Sequence, residues 1–394
     1  MCLSDFKATL NTTILFFKLR MTGKKSITLA KGVAEKSIFR TWNVCPTSCI
    51  SHVAYCDFQK IGVFGHTFII IGSTITGFIN YVLGCTMIGM PGTSHVGPLP
   101  PLSEREVALR EVLRQDVEKL AGEIGERNVL NYHNLSIAGD FIELSFEKAG
   151  YKVRRQGYKV AGKTCYNMEV EISGTDQGKE IIIIGGHYDS VIRSPGANDN
   201  ATGVAALLAL ARAFADKKIS RTLRFVAFVN EEPPFFRTSQ MGSFVYAKEC
   251  RKQGEKIAAM LSLETIGYYM DEAGSQHYPF PIGFFYPSTG NFIAFVGNLS
   301  SRGLVREVIA SFRRQVKFPS EGAALPRIIP GVGWSDQWAF WRMGYPAIMV
   351  TDTAPFRYPY YHSAQDTPDK IHYDHLTRVV VGLKLVVGDL VGIT

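Results

Sequence analysis

From residue 103 onward, apolar positions follow two rhythms that alternate along the chain. Ser103-Glu-Arg-Glu106 has the form of a capping box, and Leu109, Val112, Leu113, Val117 and Leu120 follow it at helical spacing, so an amphipathic helix is predicted there. A second helix is predicted over 135–148, ending near Gly150. Asn167-Met-Glu-Val-Glu-Ile alternates as a half-exposed strand does, whereas the four isoleucines of 181–184 show no alternation and read as a central strand covered on both faces. Residues 202–215, rich in Ala and Leu, predict a helix. Residues 223–229, 260–266 and 347–351 predict three more buried strands, and 374–388 a closing helix. Helices alternating with short apolar strands imply an α/β domain of three layers, with a largely parallel central sheet flanked by helices.

The chain before residue 103 has a different pattern. Residues 61–90 contain no Lys, Arg, Asp or Glu and are long enough to span a bilayer core, which needs about 20 helical residues. A basic excess precedes them, so 61–90 is a candidate transmembrane or signal-anchor segment with the downstream body membrane-anchored or exported and extracytoplasmic. A buried β-hairpin is the alternative, because Gly62, Gly65, Gly72, Gly77 and Gly84 interrupt any helix. Val82-Leu-Gly-Cys85 also resembles a bacterial lipid-attachment box. Residues 1–60 lack sustained periodicity and caps and read as a basic, poorly ordered leader. Residues 91–102, with Pro91-Gly and Gly97-Pro-Leu-Pro-Pro, read as a linker, leaving 103–394 as the main domain.

Composition narrows the function classes. With 46% hydrophobic and 20% charged residues the chain can bury a core, which excludes a disordered or collagen-like protein. The net charge of +8 suggests a nucleic-acid binder only until it is apportioned. Residues 1–60 hold nine Lys/Arg against three Asp/Glu, and residues 91–394 hold 34 against 32, so the body has no basic surplus for nucleic acid. Seven cysteines are too few for a disulfide scaffold. Cys45, Cys49, Cys56 and His52 match no standard zinc spacing.

The chemistry-bearing residues fall where the predicted strands end, which is where open α/β sheets place their sites. Strand 181–184 runs into Gly185-Gly-His187-Tyr-Asp189, where His187 can ligate zinc with Asp189 holding its other ring N–H, or can be a hydrogen-bonded structural histidine. Asp199 sits at a predicted helix start and can be an N-cap or a carboxylate that bridges two metals. Strand 223–229 ends in Asn230-Glu231-Glu232-Pro-Pro. Neighbouring residues of an extended segment point apart, so one glutamate can ligate metal while the other serves as a base. Glu264 closes an apolar run and therefore needs a partner. His362 lies just ahead of a predicted helix. His95, His133, His277, His372 and His375 read as surface or loop histidines, and Asp336 as a residue that supports a ligand or is structural.

Taken together, GGHYDS, GANDNATGV, FVNEEPPFF, SLETIGY, GWSDQWAFWRMGYPAIMVTDT and YYHSAQDTPDKI make residues 103–390 similar to the di-zinc aminopeptidase family of peptidase clan MH, the aminopeptidase S and Y type. The resemblance implies a three-layer zinc-exopeptidase fold, peptide substrates and two zinc ions per chain. It implies His187 and Glu264 on one zinc, Glu232 and His362 on the other, Asp199 bridging, Glu231 as general base, Asp189 behind His187, and Tyr361 as an oxyanion donor. The family usually has Asp where this chain has Glu264. The expected activity is that of a zinc-dependent aminopeptidase. Alternatives on the same fold are a single-zinc glutaminyl cyclase, a carboxypeptidase, and a non-catalytic receptor ectodomain that would have lost ligands.

Overall fold

The computed structural model describes residues 87–393. The leader 1–60, the cysteines within it, the lipid-attachment-like box and all of the apolar span up to residue 86 lie outside those residues. No helix of the described residues is long and apolar enough to cross a membrane.

Among the described residues eight strands form one sheet: β1 Arg154–Val160, β2 Lys163–Ile172, β3 Gln177–His187, β4 Arg221–Phe228, β5 Lys256–Glu264, β6 Ile293–Asn298, β7 Ser320–Leu325 and β8 Ala347–Thr351. Their order across the sheet is β1-β2-β4-β3-β5-β8-β6-β7. The four central strands β4, β3, β5 and β8 are mutually parallel. β2 joins β4 antiparallel on one side and β6 joins β8 antiparallel on the other. The helices are α1 Glu104–Val117, α2 Tyr132–Lys148, α3 Thr202–Phe214, α4 Gly242–Lys252, α5 Arg302–Gln315, α6 Gln337–Arg342 and α7 Tyr373–Val391.

The isoleucine run explains the layering. Ile182 and Ile184 pack into the core built with α1, α2, α3, α5 and α7, while Ile181 and Ile183 pack into a second core with Tyr246 of α4 and Phe340 of α6. Alternate residues of a strand face opposite sides, so a strand covered twice must be apolar at every position. The Ser103 capping box is present: Glu106 Oε2 accepts the Ser103 N–H at 2.8 Å, and Ser103 Oγ accepts the Glu106 N–H.

One strand differs from its predicted character. β2 is covered on both faces, with Asn167 and Glu169 buried as well as Met168 and Val170. Glu169 is covered by Arg154, its cross-strand partner, in a two-pronged ion pair at 2.9 and 2.6 Å, and by the Tyr246 hydroxyl. Buried charge is tolerated there because it is paired and hydrogen-bonded.

The segment before α1 also contributes. Residues 91–102 hold no helix. Ser94 Oγ accepts the Ser320 N–H of edge strand β7 at 2.9 Å, Met90 lies over Gly322, and Arg313 of α5 donates to the carbonyls of Pro91 and Gly92 at 3.2 Å. These contacts cover an edge that would otherwise present unpaired backbone groups.

Candidate metal centre

The carboxyl ends of β3, β4 and β5 deliver three of the sequence-predicted groups directly. His187 is the last residue of β3, Glu264 is the last residue of β5, and Glu231-Glu232 follow β4 by two residues. Asp199 does not begin an α-helix. It lies in a single wide turn, Ala197–Ala201, with non-helical φ −114° and ψ 86°, and α3 starts only at Thr202. His362 comes from the loop before α7.

These six side chains converge. His187 Nε2 is 3.3 Å from both Asp199 Oδ1 and Glu264 Oε2, and 4.0 Å from Glu231 Oε2. On the other side, His362 Nε2 is 3.1 Å from Asp199 Oδ2 and 3.3 Å from Glu232 Oε2. Asp199 therefore turns one oxygen to each histidine. The donors fall into the overlapping sets His187–Asp199–Glu264, His187–Glu231–Glu232 and Asp199–Glu232–His362, each with its ligand atoms within 4.8 Å of one another. His187 is fully buried, whereas His362 reaches solvent, so the cluster is open on the His362 side.

The donor set fits a cation. His187 Nε2, Asp199 Oδ1 and Glu232 Oε1 are buried and make no hydrogen bond, a cost that native interiors rarely accept without a ligand to satisfy such atoms. Imidazole and carboxylate are the donors zinc prefers besides thiolate. The protonation pattern reflects the crowding. Burial opposes charge on both histidines, but Glu264, Asp189 and Asp199 hold His187 well above its ordinary value, and Asp199 and Glu232 take His362 up to about 10. Burial, reinforced by Asp199, pushes Glu232 up to about 7. Burial also raises Glu231 well above the carboxylate range, and the nearby Glu264 and Glu232 add to it.

Three of the seven non-glycine residues with positive φ among the described residues are a ligand or adjoin one. Asn230, Thr265 and His362 have φ of +59°, +44° and +55°, the left-handed region that costs non-glycine residues roughly 1–3 kcal/mol each. Local bonds enforce these turns. Asn200 Oδ1 accepts the N–H groups of Thr265 and Gly203, and Asn200 Nδ2 donates to the Leu263 carbonyl. A Cβ on Gly203 would sit 2.4 Å from that Asn200 oxygen and 2.6 Å from the Leu263 carbonyl oxygen, so the close approach of α3 to β5 requires glycine.

Asp189 differs from its expected place. The nearest oxygen to His187 Nδ1 is the Asp189 backbone carbonyl at 3.1 Å, with the carboxylate at 3.6 Å. The carboxylate instead accepts the N–H groups of Glu231 and Glu232, both at 3.1 Å. Glu264 is held by Ser335 Oγ at 2.5 Å. The Tyr361 ring stacks on His362 with centroids 3.9 Å apart, and burial among carboxylates raises its phenol well above the ordinary value, so it is a donor at neutral pH. Asp336 is buried and belongs to none of the three donor sets. Of the histidines read as surface groups, His375 departs: it packs against Tyr269 and Phe318 at 5.0 and 5.6 Å.

Several positioning residues carry no sequence signal. Asp366 accepts the backbone N–H groups of Asn198 and Asp199 at 2.8 and 3.1 Å and the Tyr358 hydroxyl at 2.7 Å. Asp352 Oδ2 accepts from Asn198 Nδ2 and the Tyr268 N–H. Arg127, wholly buried, donates to the carbonyls of Tyr188, Gly125, Pro195 and Gly196 and so fixes the loop between His187 and Asp199. Asn198, Asn200 and Asp366 lie inside segments the motifs already cover. Asp352 also lies in such a segment, at the end of the one that closes with β8, whereas Arg127 becomes legible only when the loops are folded.

Beside Glu264 and Tyr361 an apolar trough opens over β8, β6 and β7, walled by Tyr278, Tyr286, Trp334 and Phe356.

The sequence profile of Peptidase family M28 matches residues 167–384, a span that contains all six donors. An uncharacterized protein of Escherichia coli K12, YfbL, is 36% identical over 282 residues, covering 69% of this chain and 86% of its own length. Among solved structures, BSAP, a zinc aminopeptidase from Bacillus subtilis, superposes with a TM-score of 0.58 at 15% identity, over 72% of this chain and 95% of its own. A glutaminyl cyclase from Fimbriiglobus ruber gives a TM-score of 0.53 at 21% identity, over 74% and 97%. Both structural likenesses establish the fold.

Proposed function

The chain belongs to peptidase family M28, and on that premise we propose that it is a di-zinc aminopeptidase, hydrolysing the first peptide bond of substrates with a free N-terminus. The observation that carries this reading is the bridging placement of Asp199, one oxygen toward His187 and the other toward His362. His187 and Glu264 would hold one zinc, Glu232 and His362 the other, with Asp199 shared. Such ions supply Lewis-acid polarisation of the scissile carbonyl and acidify water toward a pKa of about 7.

The protein's own groups do the rest. Glu231, buried and 4.0 Å from His187 Nε2, takes the proton of the attacking water and returns it to the leaving amine. Tyr361 donates its phenolic hydrogen to the developing oxyanion. Glu264, longer by one methylene than the Asp usual in the family it resembles, is steadied by Ser335 and stands beside the trough, where it can also face a substrate ammonium group. For a glutaminyl cyclase one ion on Asp199, Glu232 and His362 would suffice; the additional set around His187 and Glu264 favours two.

Metal content tests the reading. About two zinc ions per chain are expected, falling to about one in His187→Ala. One zinc in both proteins would contradict it.

A further inference from the structure

The trough beside the metal centre has a floor that can be traced residue by residue. Glu264 of β5 pairs with Thr351 of β8, Thr351 with Ala294 of β6, and Ala294 with Glu321 of β7. Residues in register on neighbouring strands share a face of the sheet, and all four line the trough. At about 4.8 Å per strand, Glu264 and Glu321 are separated by three spacings, about 14 Å along the floor. The two residues between them, Thr351 and Ala294, are small and leave the path open. The trough therefore starts at a candidate zinc ligand, runs over short and aromatic side chains, and ends on a second carboxylate.

That carboxylate is not spoken for. Its one charged neighbour is Arg313 at 3.7 Å, beyond hydrogen-bond range, and among the described residues nothing donates a hydrogen bond to it. Arg313 does not line the trough and uses four of its five N–H groups on the Ser320 hydroxyl and carbonyl and on the carbonyls of Pro91 and Gly92, which leaves one, on Nη2, toward Glu321. A half-buried carboxylate with one long ion pair, at the end of an apolar channel, has a defined complement: an apolar stem ending in a cation. Lysine has such a side chain, four carbons and an ammonium group with three donors.

We propose that Glu321 is a specificity residue and that the trough takes the side chain of an N-terminal lysine, its stem over Thr351 and Ala294 and its ammonium at the Glu321 carboxylate. This rests on the aminopeptidase reading, which supplies the reason for a substrate side chain to start beside Glu264. Norleucine is the decisive control, having the same stem without the ammonium.

With the full zinc-loaded chain, lysyl-p-nitroanilide should be cleaved with at least about tenfold higher kcat/KM than norleucyl-p-nitroanilide, and Glu321→Gln should abolish that ratio. Calorimetry should give the same order for binding of L-lysinamide against L-norleucinamide, a readout that needs no turnover. Equal or better handling of norleucine by the unsubstituted protein in both measurements would overturn the proposal. If neither anilide is cleaved but lysinamide still binds about tenfold tighter, the aminopeptidase reading falls and the Glu321 assignment stands.

Discussion

The Asp189 carboxylate accepts two consecutive backbone N–H groups, those of Glu231 and Glu232, with both contacts at 3.1 Å. It thereby sets the direction in which both glutamates leave β4, one toward His187 and the other toward His362. Asp189→Asn replaces one acceptor oxygen with a donor and must lose one of the two bonds. Zinc affinity should fall by roughly 10–100-fold, the range for outer-shell partners, with a matching loss of kcat/KM. Competition with a chelator of known affinity would measure it, and unchanged zinc retention would show that the turn is fixed by other contacts.

The two glutamates should separate on substitution. Glu231→Gln should keep both metals while turnover falls by roughly 10²–10⁴, the span for loss of a general base. Glu232→Gln should instead lose zinc. The opposite pattern in metal analysis and steady-state kinetics would exchange their roles.

The N-terminal loop of the site should depend on one buried guanidinium. Arg127→Met leaves the carbonyls of Tyr188, Gly125 and Pro195 without their donor, while that of Gly196 keeps the Ala201 N–H. Since an unsatisfied buried polar group costs about 1–3 kcal/mol, the loss should be at least about 3 kcal/mol. Denaturant unfolding reads it directly, and a change below about 1 kcal/mol would mean that water enters and replaces the guanidinium.

Acid should destabilise the α7 side of the fold through His375. Burial against Tyr269 and Phe318, with His372 adding repulsion, pushes its pKa down to about 4 from the ordinary 6.5. The unfolded chain takes up this proton below about pH 6.5 while the folded chain resists until about pH 4. The contribution is therefore whole above pH 6.5 and is lost as pH falls through that interval. His375→Phe preserves the stacking and removes the titration, so its Tm should fall less steeply between pH 6.5 and 4. Parallel Tm profiles for the two proteins would refute the assignment.

Much of this was legible in the residues, for reasons that also mark the limit. The isoleucines of β3, the apolar ends of β4, β5 and β8, and the Ser103 cap are local patterns, and His187, Glu231, Glu232 and Glu264 stood at or just past the ends of three of them, whereas Asp199 and His362 lie in loops. What escaped was carried by sequence-distant partners. β1 reads Arg-Arg-Gln-Gly-Tyr-Lys-Val, too polar to look like a strand; it pairs because Arg154 meets Glu169 and because Ala161 and Gly162, with φ of +48° and +77°, make the tight reversal before β2. Strands β6 and β7, six residues each and the second built mostly of small residues, gave no periodic signal, yet they floor the trough. The two further bonds of Asp189 were not legible, because the N–H groups it accepts lie 42 and 43 positions away.

The central claim concerns the end of the peptide at which the enzyme works. Asp199, Glu231, Glu232 and Glu264 line the cluster with four carboxylates, and such a lining favours a substrate ammonium group over a substrate carboxylate. Comparison of kcat/KM for leucyl-p-nitroanilide with that for its N-acetyl derivative tests this most directly. The free amine should be preferred by at least about 10²-fold, as expected for lost charge-assisted contacts, whereas equal rates on the two substrates would contradict an aminopeptidase.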